Sequence, residues 1–179
     1  MIGNIVAGTF STGVAPVFGA YESIATTTLS SAQTTITFSS IPSTYKHLQI
    51  RSSYTLDNTA NNLYMTLNGS TGSSRWHYLF GDGSSAVAGS STDNLISIQF
   101  GNAATTLYAN VIDFLDYTST TKTKVLRSLC GVDFNGSGGV YLSSNLYNTT
   151  SAISSITIGV QSGFSLGQYT KFALYGIKD

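Results

Sequence analysis

The stretch Thr34-Thr35-Ile36-Thr37-Phe38-Ser39-Ser40 decides the fold class, because hydroxyl-bearing and apolar side chains alternate along it. A period of two is typical of an antiparallel strand that buries one face and exposes the other. The same alternation recurs at Leu48/Ile50, Leu63/Met65/Leu67, Ile96/Ile98/Phe100 and Ile156/Ile158/Val160. Apolar spacing at i, i+3, i+4 and i+7 extends over two helical turns nowhere in the chain. The sequence therefore predicts an all-β protein.

Turn signals separate the predicted strands. Asn68-Gly69, Gly81-Asp82-Gly83 and Asn135-Gly136-Ser137-Gly138-Gly139 combine residues that adopt the positive φ angles of tight turns. Between such signals, strands are predicted near residues 22–29, 33–39, 46–55, 62–68, 75–80, 94–100, 106–117, 123–134, 139–147, 153–161 and 169–177. Many short strands at this spacing indicate an antiparallel β-sandwich, jelly-roll-like in arrangement, formed by residues 22–179.

The chain carries unusually little charge. Charged residues make up 9% of its 179 residues, against roughly 25% in an ordinary soluble domain. Eight basic and eight acidic side chains give a formal net charge of +0, so no long-range field attracts DNA, RNA or an anionic membrane. No apolar run reaches the length of a transmembrane helix. Charged side chains usually prevent exposed strand edges from pairing with other chains. Because this chain has few of them, we expect a homo-oligomer that covers its strand edges.

Residue types suited to catalysis or metal binding form no recognisable pattern. Cys130 is the single cysteine, lies in an apolar run, and is interpreted as a buried small hydrophobe. His47 and His77 have no partner at metal-ligand spacing. Asp113 and Asp116 are predicted on opposite faces of one strand, where they are poor partners for acid–base chemistry. We therefore predict no enzyme activity, no cofactor and no metal site.

Two local clusters of side chains do not by themselves indicate a defined function. Trp76 and Tyr78 form an aromatic cluster before a predicted loop at residues 81–89. Such a cluster binds glycans when it is exposed, and otherwise packs a sheet face or a subunit interface. The segment 122–127 holds the one basic concentration of the chain, and we interpret it as a solvated strand end.

Residues 1–21 differ from the rest of the chain. They are uncharged and glycine-spaced, with apolar residues at Ile2, Ile5, Val6, Phe10, Val14, Val17 and Phe18. We predict an extended N-terminal arm that docks on a neighbouring subunit. The alternative is that the segment pairs as an edge strand on its own domain. No Lys or Arg precedes Lys46, so the positive start of a signal peptide is missing and we expect synthesis in a reducing cytoplasm.

Strand and turn motifs recur from residue 21 to residue 177. They are Tyr21-Glu22-Ser23-Ile24-Ala25, Ile36-Thr37-Phe38-Ser39-Ser40-Ile41-Pro42, Tyr45-Lys46-His47-Leu48-Gln49-Ile50-Arg51, Leu67-Asn68-Gly69-Ser70-Thr71-Gly72, Trp76-His77-Tyr78-Leu79, Ile112-Asp113-Phe114-Leu115-Asp116-Tyr117, Ser151-Ala152-Ile153-Ser154-Ser155-Ile156-Thr157-Ile158 and Phe172-Ala173-Leu174-Tyr175-Gly176-Ile177. Together these segments resemble a recurring family of β-sandwich modules in virion proteins of tailed bacteriophages.

The resemblance implies a structural virion protein without catalytic residues. A single module with an apolar arm favours a capsid decoration (cement) protein on the capsid surface over a tail fibre, which usually adds long repeats or a coiled coil. The implied partners are the major capsid protein, bound through the arm, and other copies of the chain, as a homotrimer. The alternative is a tail-fibre or receptor-binding module in which Trp76 and Tyr78 contact host glycans. A depolymerase or a non-viral carbohydrate-binding module fits the sequence less well.

Overall fold

The computed structural model describes residues 19–56, 62–72, 74–92, 96–100, 106–160 and 163–178, with the backbone alone for 62, 74 and 96–100. These residues form twelve strands: β1 (Tyr21–Thr28), β2 (Thr35–Phe38), β3 (His47–Tyr54), β4 (Asn62–Leu67), β5 (Ser74–Gly81), β6 (Ala86–Ser91), β7 (Ile96–Phe100), β8 (Tyr108–Phe114), β9 (Lys124–Asp133), β10 (Gly138–Tyr147), β11 (Ile156–Val160) and β12 (Lys171–Ile177). Within the described ranges there is no helix. The all-β prediction is confirmed.

The strands form two antiparallel sheets of unequal width. The large sheet has the order β1-β12-β3-β8-β9-β10-β5-β6, and the small sheet has the order β2-β11-β4-β7. Buried side chains of both sheets belong to one core cluster, so the two sheets form a sandwich, as expected.

Alternation along the strands explains how the core is filled. In β2, Ile36 and Phe38 are buried while the threonines between them are exposed, as the hydroxyl/apolar pattern predicts. In the large sheet, Leu48, Phe114 and Leu126 are register partners across β3, β8 and β9, and all three are buried. Burying such side chains supplies the main favourable term in folding.

The predicted tight turns have the backbone that their residues favour. Asn68 and Gly69 have φ angles of 53° and 72°, and Asn135 and Gly136 have φ angles of 61° and 113°. Asn68 also fixes a distant segment. Its Oδ1 accepts the Ser154 and Ser155 backbone N–H groups at 2.8 and 3.1 Å, and its Nδ2 donates to the Ala152 carbonyl at 2.7 Å.

Several boundaries differ from the sequence prediction. The segment predicted as a loop at 81–89 contains the start of β6, which pairs with β5 from Ala86 to Ser91. The strand predicted over 106–117 ends at Phe114, and a turn follows over 115–118. β1 begins at Tyr21, which we had placed in the arm. The seven apolar arm residues, Ile2, Ile5, Val6, Phe10, Val14, Val17 and Phe18, lie outside the described residues.

Candidate functional site

The outward face of the large sheet is the most informative surface of the molecule. In β9, Lys124, Leu126, Ser128 and Cys130 are buried toward the small sheet, whereas Val125, Arg127 and Leu129 are exposed on the opposite face. Antiparallel sheets commonly place polar residues on a solvated face. Here two of the three exposed residues between Lys124 and Cys130 are large and apolar, so the face departs from that rule.

Apolar residues line up on this face across five neighbouring strands. Ala88, Leu79, Leu142, Leu129 and Val111 are successive register partners in β6, β5, β10, β9 and β8. An adjacent row contains Val140, Gly131 and Ala109. The exposed fractions of Leu79, Leu129, Leu142 and Val140 are 58%, 50%, 40% and 57%. We call these eight residues, Leu79, Ala88, Ala109, Val111, Leu129, Gly131, Val140 and Leu142, the outer strip.

A depression of about 550 Å³ lies at the β8/β9 end of the outer strip. Ala109, Val111, Leu129, Gly131 and Val140 contribute to its wall. A Cβ added at Gly131 would meet no atom within 4 Å, so the absent side chain leaves open space above the strand. The depression is therefore an apolar hollow in a sheet face, wide open to solvent, and its shape suits a side chain from another surface.

Aromatic and cationic groups border the hollow on the β3/β12/β1 side. The Arg51 guanidinium lies 5.4 Å from the centre of the Tyr21 ring and 5.7 Å from that of Tyr175, which are cation–π distances. Arg51 Nε also donates to Gln49 Oε1 at 2.7 Å. These contacts hold Arg51 on the sheet surface beside the outer strip, where it marks the polar end of the hollow.

The two aspartates considered for acid–base chemistry have separate partners. Asp113 Oδ2 accepts from Arg127 Nη2 at 2.8 Å, and its Oδ1 accepts from Gln49 Nε2 at 2.8 Å. Asp116 lies in the turn after β8, where its carboxylate accepts from Lys122 Nζ at 2.9 Å. That hydrogen bond lowers the pKa of Asp116 below its usual value. Both carboxylates are thus ion-pair partners on the surface, each neutralising a nearby cation.

The basic segment 122–127 is not a uniformly solvated strand end, and that prediction is wrong for its middle residue. Lys124 is 1% exposed, and its ammonium donates to the carbonyls of Ser119, of Lys122 at 3.1 Å and of Thr150 at 3.3 Å. Loss of water around the ammonium lowers the pKa of Lys124. This side chain closes the β8–β9 connection, whereas Arg127 is exposed as expected.

Trp76 and Tyr78 lie on the inward face of the large sheet. Trp76 is 9% exposed and belongs to the core cluster, and Tyr78 is partly buried against it. Their ring centres are 4.8 Å apart, and Tyr78 stacks in turn on Tyr141 at 5.3 Å. Within this chain the aromatic cluster packs a sheet face, which is the second of the two interpretations left open.

Cys130 is a buried small residue, as predicted. It is 2% exposed, and its Sγ lies 3.8 Å from the Tyr54 hydroxyl. Burial raises the pKa of the Cys130 thiol to about 12. At neutral pH the sulfur is therefore a protonated, unreactive packing group.

A polar cleft lies at one end of the sandwich. Asp82 and Asp133 line it, but each carboxylate accepts backbone N–H groups of its own turn: Asp82 from Ser84 and Ser85, and Asp133 from Asn135. Among the described residues, no group of three or more His, Cys, Asp or Glu side chains could hold a metal ion. In the same part of the chain no helix is long and apolar enough to cross a membrane.

The outer strip was not predicted from the sequence, although the sequence of β9 contains a pattern that indicates it. Val125-Leu126-Arg127-Ser128-Leu129-Cys130 holds apolar residues at both odd and even positions. A strand that is apolar on both faces indicates that both faces are covered.

In comparisons with known proteins, no family model, no curated protein and no solved structure matches this chain.

Proposed function

We propose that this chain is a structural bacteriophage virion protein, a capsid decoration (cement) protein that coats the capsid as a homo-oligomer. The observation that supports this proposal is the outer strip, a contiguous apolar surface on a two-sheet sandwich. Contiguous exposed apolar surface on a soluble domain marks a site of contact with another protein. The strip is wide and shallow, which suits a protein partner better than a small substrate.

The electrostatics of the surface agree with a mechanical role. Asp113 and Asp116 are paired with Arg127 and Lys122 within the same chain, and the formal net charge is +0. A surface that is neutral at short range contacts other neutral protein surfaces without strong repulsion. Weak contacts of this kind become strong when symmetry repeats them many times on one shell. The decoration protein then bridges neighbouring capsid subunits and resists internal pressure.

The second candidate is a tail-fibre or receptor-binding module. It requires an exposed aromatic platform, and in the one predicted from the sequence Trp76 is buried in the core while Tyr78 is partly buried against it. The outer strip is aliphatic and lacks the ring faces on which sugars stack. The decoration role therefore has the stronger support.

Cryo-electron microscopy of the virions that contain this chain is the test. We expect many copies at symmetric positions on the capsid shell. Density confined to a few copies at the tail tip would overturn the decoration role in favour of the adhesion module.

A variant pair then tests whether capsid binding depends on the outer strip, through which copies of the chain contact one another. Leu129→Asp alters the strip, and Leu115→Asp alters a residue of similar exposure, 49%, in the turn after β8. We expect Leu129→Asp to lose co-sedimentation with capsids and Leu115→Asp to retain it. Equal retention by both variants would show that capsid binding does not depend on the strip.

A further inference from the structure

We propose that the outer strip of one copy binds residues 1–18 of a neighbouring copy, with Phe10 of that arm seated in the hollow above Gly131. This inference rests on the proposed function only because it requires copies of the chain to lie side by side. It adds to the proposed function by naming the partner of the strip. The arm thereby links decoration subunits to one another, and other surfaces contact the capsid.

The direction of the chain before β1 points away from its own strip. The Lys178 N–H donates to the Ala20 carbonyl at 3.0 Å, so the ladder between β1 and β12 fixes the path of the chain through Ala20. Tyr21 lies at the end of the sheet where Ile177 pairs with His47. The hollow extends from Tyr175 and Arg51 to the register row through Lys171, Ser53, Ala109 and Gly131, so Gly131 lies at its far end.

The path from Gly19 back to Gly131 of the same copy is long and begins with a reversal of the chain. Seven residues of β1 span about 23 Å along the strand, and four strand spacings between β1 and β9 add about 19 Å across the sheet. An arm that binds its own strip must reverse at Gly19 and return over roughly 30 Å. An arm that continues the direction set at Ala20 leads away from its own domain, as binding to a neighbouring copy requires.

The arm is long enough for such an exchange. Eighteen residues extend up to about 60 Å, and the ten residues from Phe10 to Gly19 extend up to about 33 Å. The outer strip spans five strands, which is about 19 Å from β8 to β6. One arm can therefore cross a gap between subunits and still lie over the whole strip.

The chemistry of the arm matches the chemistry of the strip. Residues 1–18 contain no Lys, Arg, Asp or Glu, and the eight residues of the strip contain none either. The arm carries two large rings, Phe10 and Phe18. Phe18 lies two residues from Ala20, whose backbone still pairs with β12, and this leaves Phe10 as the ring able to reach a neighbour's hollow. Burying a phenylalanine ring against apolar walls is the largest single gain that the arm offers.

The test is a photo-crosslinking experiment on the full-length chain without capsids. Phe10 is replaced by benzoylphenylalanine, and protein labelled with ¹⁴N is unfolded in urea together with an equal amount labelled with ¹⁵N and refolded before irradiation. We expect crosslinks to peptides that contain Leu129 or Val140, with about half of the linked pairs carrying one label of each kind. Pairs of a single label throughout would mean that the arm binds its own domain, and linkage away from the strip would mean that another surface binds it. Either result overturns the proposal.

A matched pair of substitutions tests the hollow itself. Gly131→Leu fills it, and Ser90→Val places a similar side chain on the same face of edge strand β6. Urea unfolding first verifies that both variants fold. We expect Gly131→Leu to reduce the Phe10 crosslink and the self-association measured by sedimentation at least tenfold, and Ser90→Val to change neither. An undiminished crosslink in Gly131→Leu overturns the proposal.

The outcomes for this inference and for the decoration role are distinguishable. The crosslink reports on arm exchange in purified protein, and microscopy reports on location in the virion. Arm exchange in a protein found at the tail tip would support the inference and refute the decoration role. A capsid-shell location with no crosslink on the strip would support the decoration role and refute the inference.

Discussion

Replacing Gly176 by alanine should destabilise the fold through a single steric conflict. A Cβ on Gly176 would meet the Tyr45 ring closer than real Cβ contacts occur, and Tyr45 packs against the core. The Tyr45 hydroxyl donates to Glu22 Oε2 at 3.1 Å, so a displaced ring also loses a hydrogen bond to a carboxylate. Gly176 lies in β12, where it pairs with Glu22 of β1 and Leu48 of β3, and the backbone cannot retreat without disturbing both ladders.

The size of this effect follows from three terms. Overpacking a filled site costs about 1–3 kcal/mol. A lost hydrogen bond costs about 1 kcal/mol. The smaller unfolded-state entropy of alanine returns about 0.5–1 kcal/mol. We expect the free energy of unfolding to fall by about 2 kcal/mol, which lowers the urea midpoint by about 1 M at a typical slope.

Gly131→Ala is the matched control for this prediction. Gly131 also lies in the large sheet, but an added Cβ there meets nothing within 4 Å. We expect no loss of stability, and a gain of up to about 1 kcal/mol from the lower entropy of the unfolded chain. Urea unfolding of both variants, followed by fluorescence of Trp76, gives the comparison. Equal effects of the two substitutions would refute the steric argument.

Three further predictions concern polar and ionisable groups. Asn68→Ala removes the hydrogen bonds to the 152–155 segment and places alanine at a positive φ, so we expect a loss of about 2–3 kcal/mol in urea unfolding, whereas Asn68→Asp keeps the acceptor and should lose less. Lys124→Met leaves three carbonyls without their donor, and we expect a fall of about 3 kcal/mol by the same assay, with Lys122→Met, at an exposed position, nearly neutral. The pKa of Cys130 is raised from 9.0 to about 12 by burial, so the folded state keeps a proton that the unfolded chain loses. That stability is present below pH 9 and is lost as the pH rises toward 12. This thiol should make the free energy of unfolding about 1.4 kcal/mol smaller at pH 10 than at pH 8. A Cys130→Ala variant that keeps the full difference would contradict the assignment.

Strand positions could be predicted where one face is buried and the other is not. Thr35–Phe38 follows that rule throughout, and Ile156–Val160 follows it except at Gly159, which is buried; both are strands of the small sheet. The edge strand β6 was missed, because Ala86–Ser91 holds small residues that are mostly exposed and lack alternation. Its conformation follows from pairing with β5 rather than from its own sequence.

Side-chain roles were harder to predict than strands, because they depend on distant segments. Lys124 is adjacent to exposed residues in the sequence, yet its ammonium donates to the carbonyl of Thr150, which lies in the chain after the end of β10. Trp76 has an inward position because the register of β5 with β10 sets it opposite the buried Asn145. Neither relation is visible in a local window, since the packing of non-adjacent strands decides both.

The energy available from the outer strip sets the kind of contact that it can make. Leu79, Leu129, Leu142 and Val140 are each about half exposed, and covering the remaining half of one such side chain stabilises by about 1 kcal/mol. The four together contribute about 4 kcal/mol, which corresponds to a dissociation constant near 1 mM before the entropy of association is subtracted. These four side chains alone therefore bind a free partner weakly. A partner tethered to the assembly, such as the arm of a neighbouring copy, binds at high effective concentration, and repetition around the oligomer turns a weak contact into a stable shell.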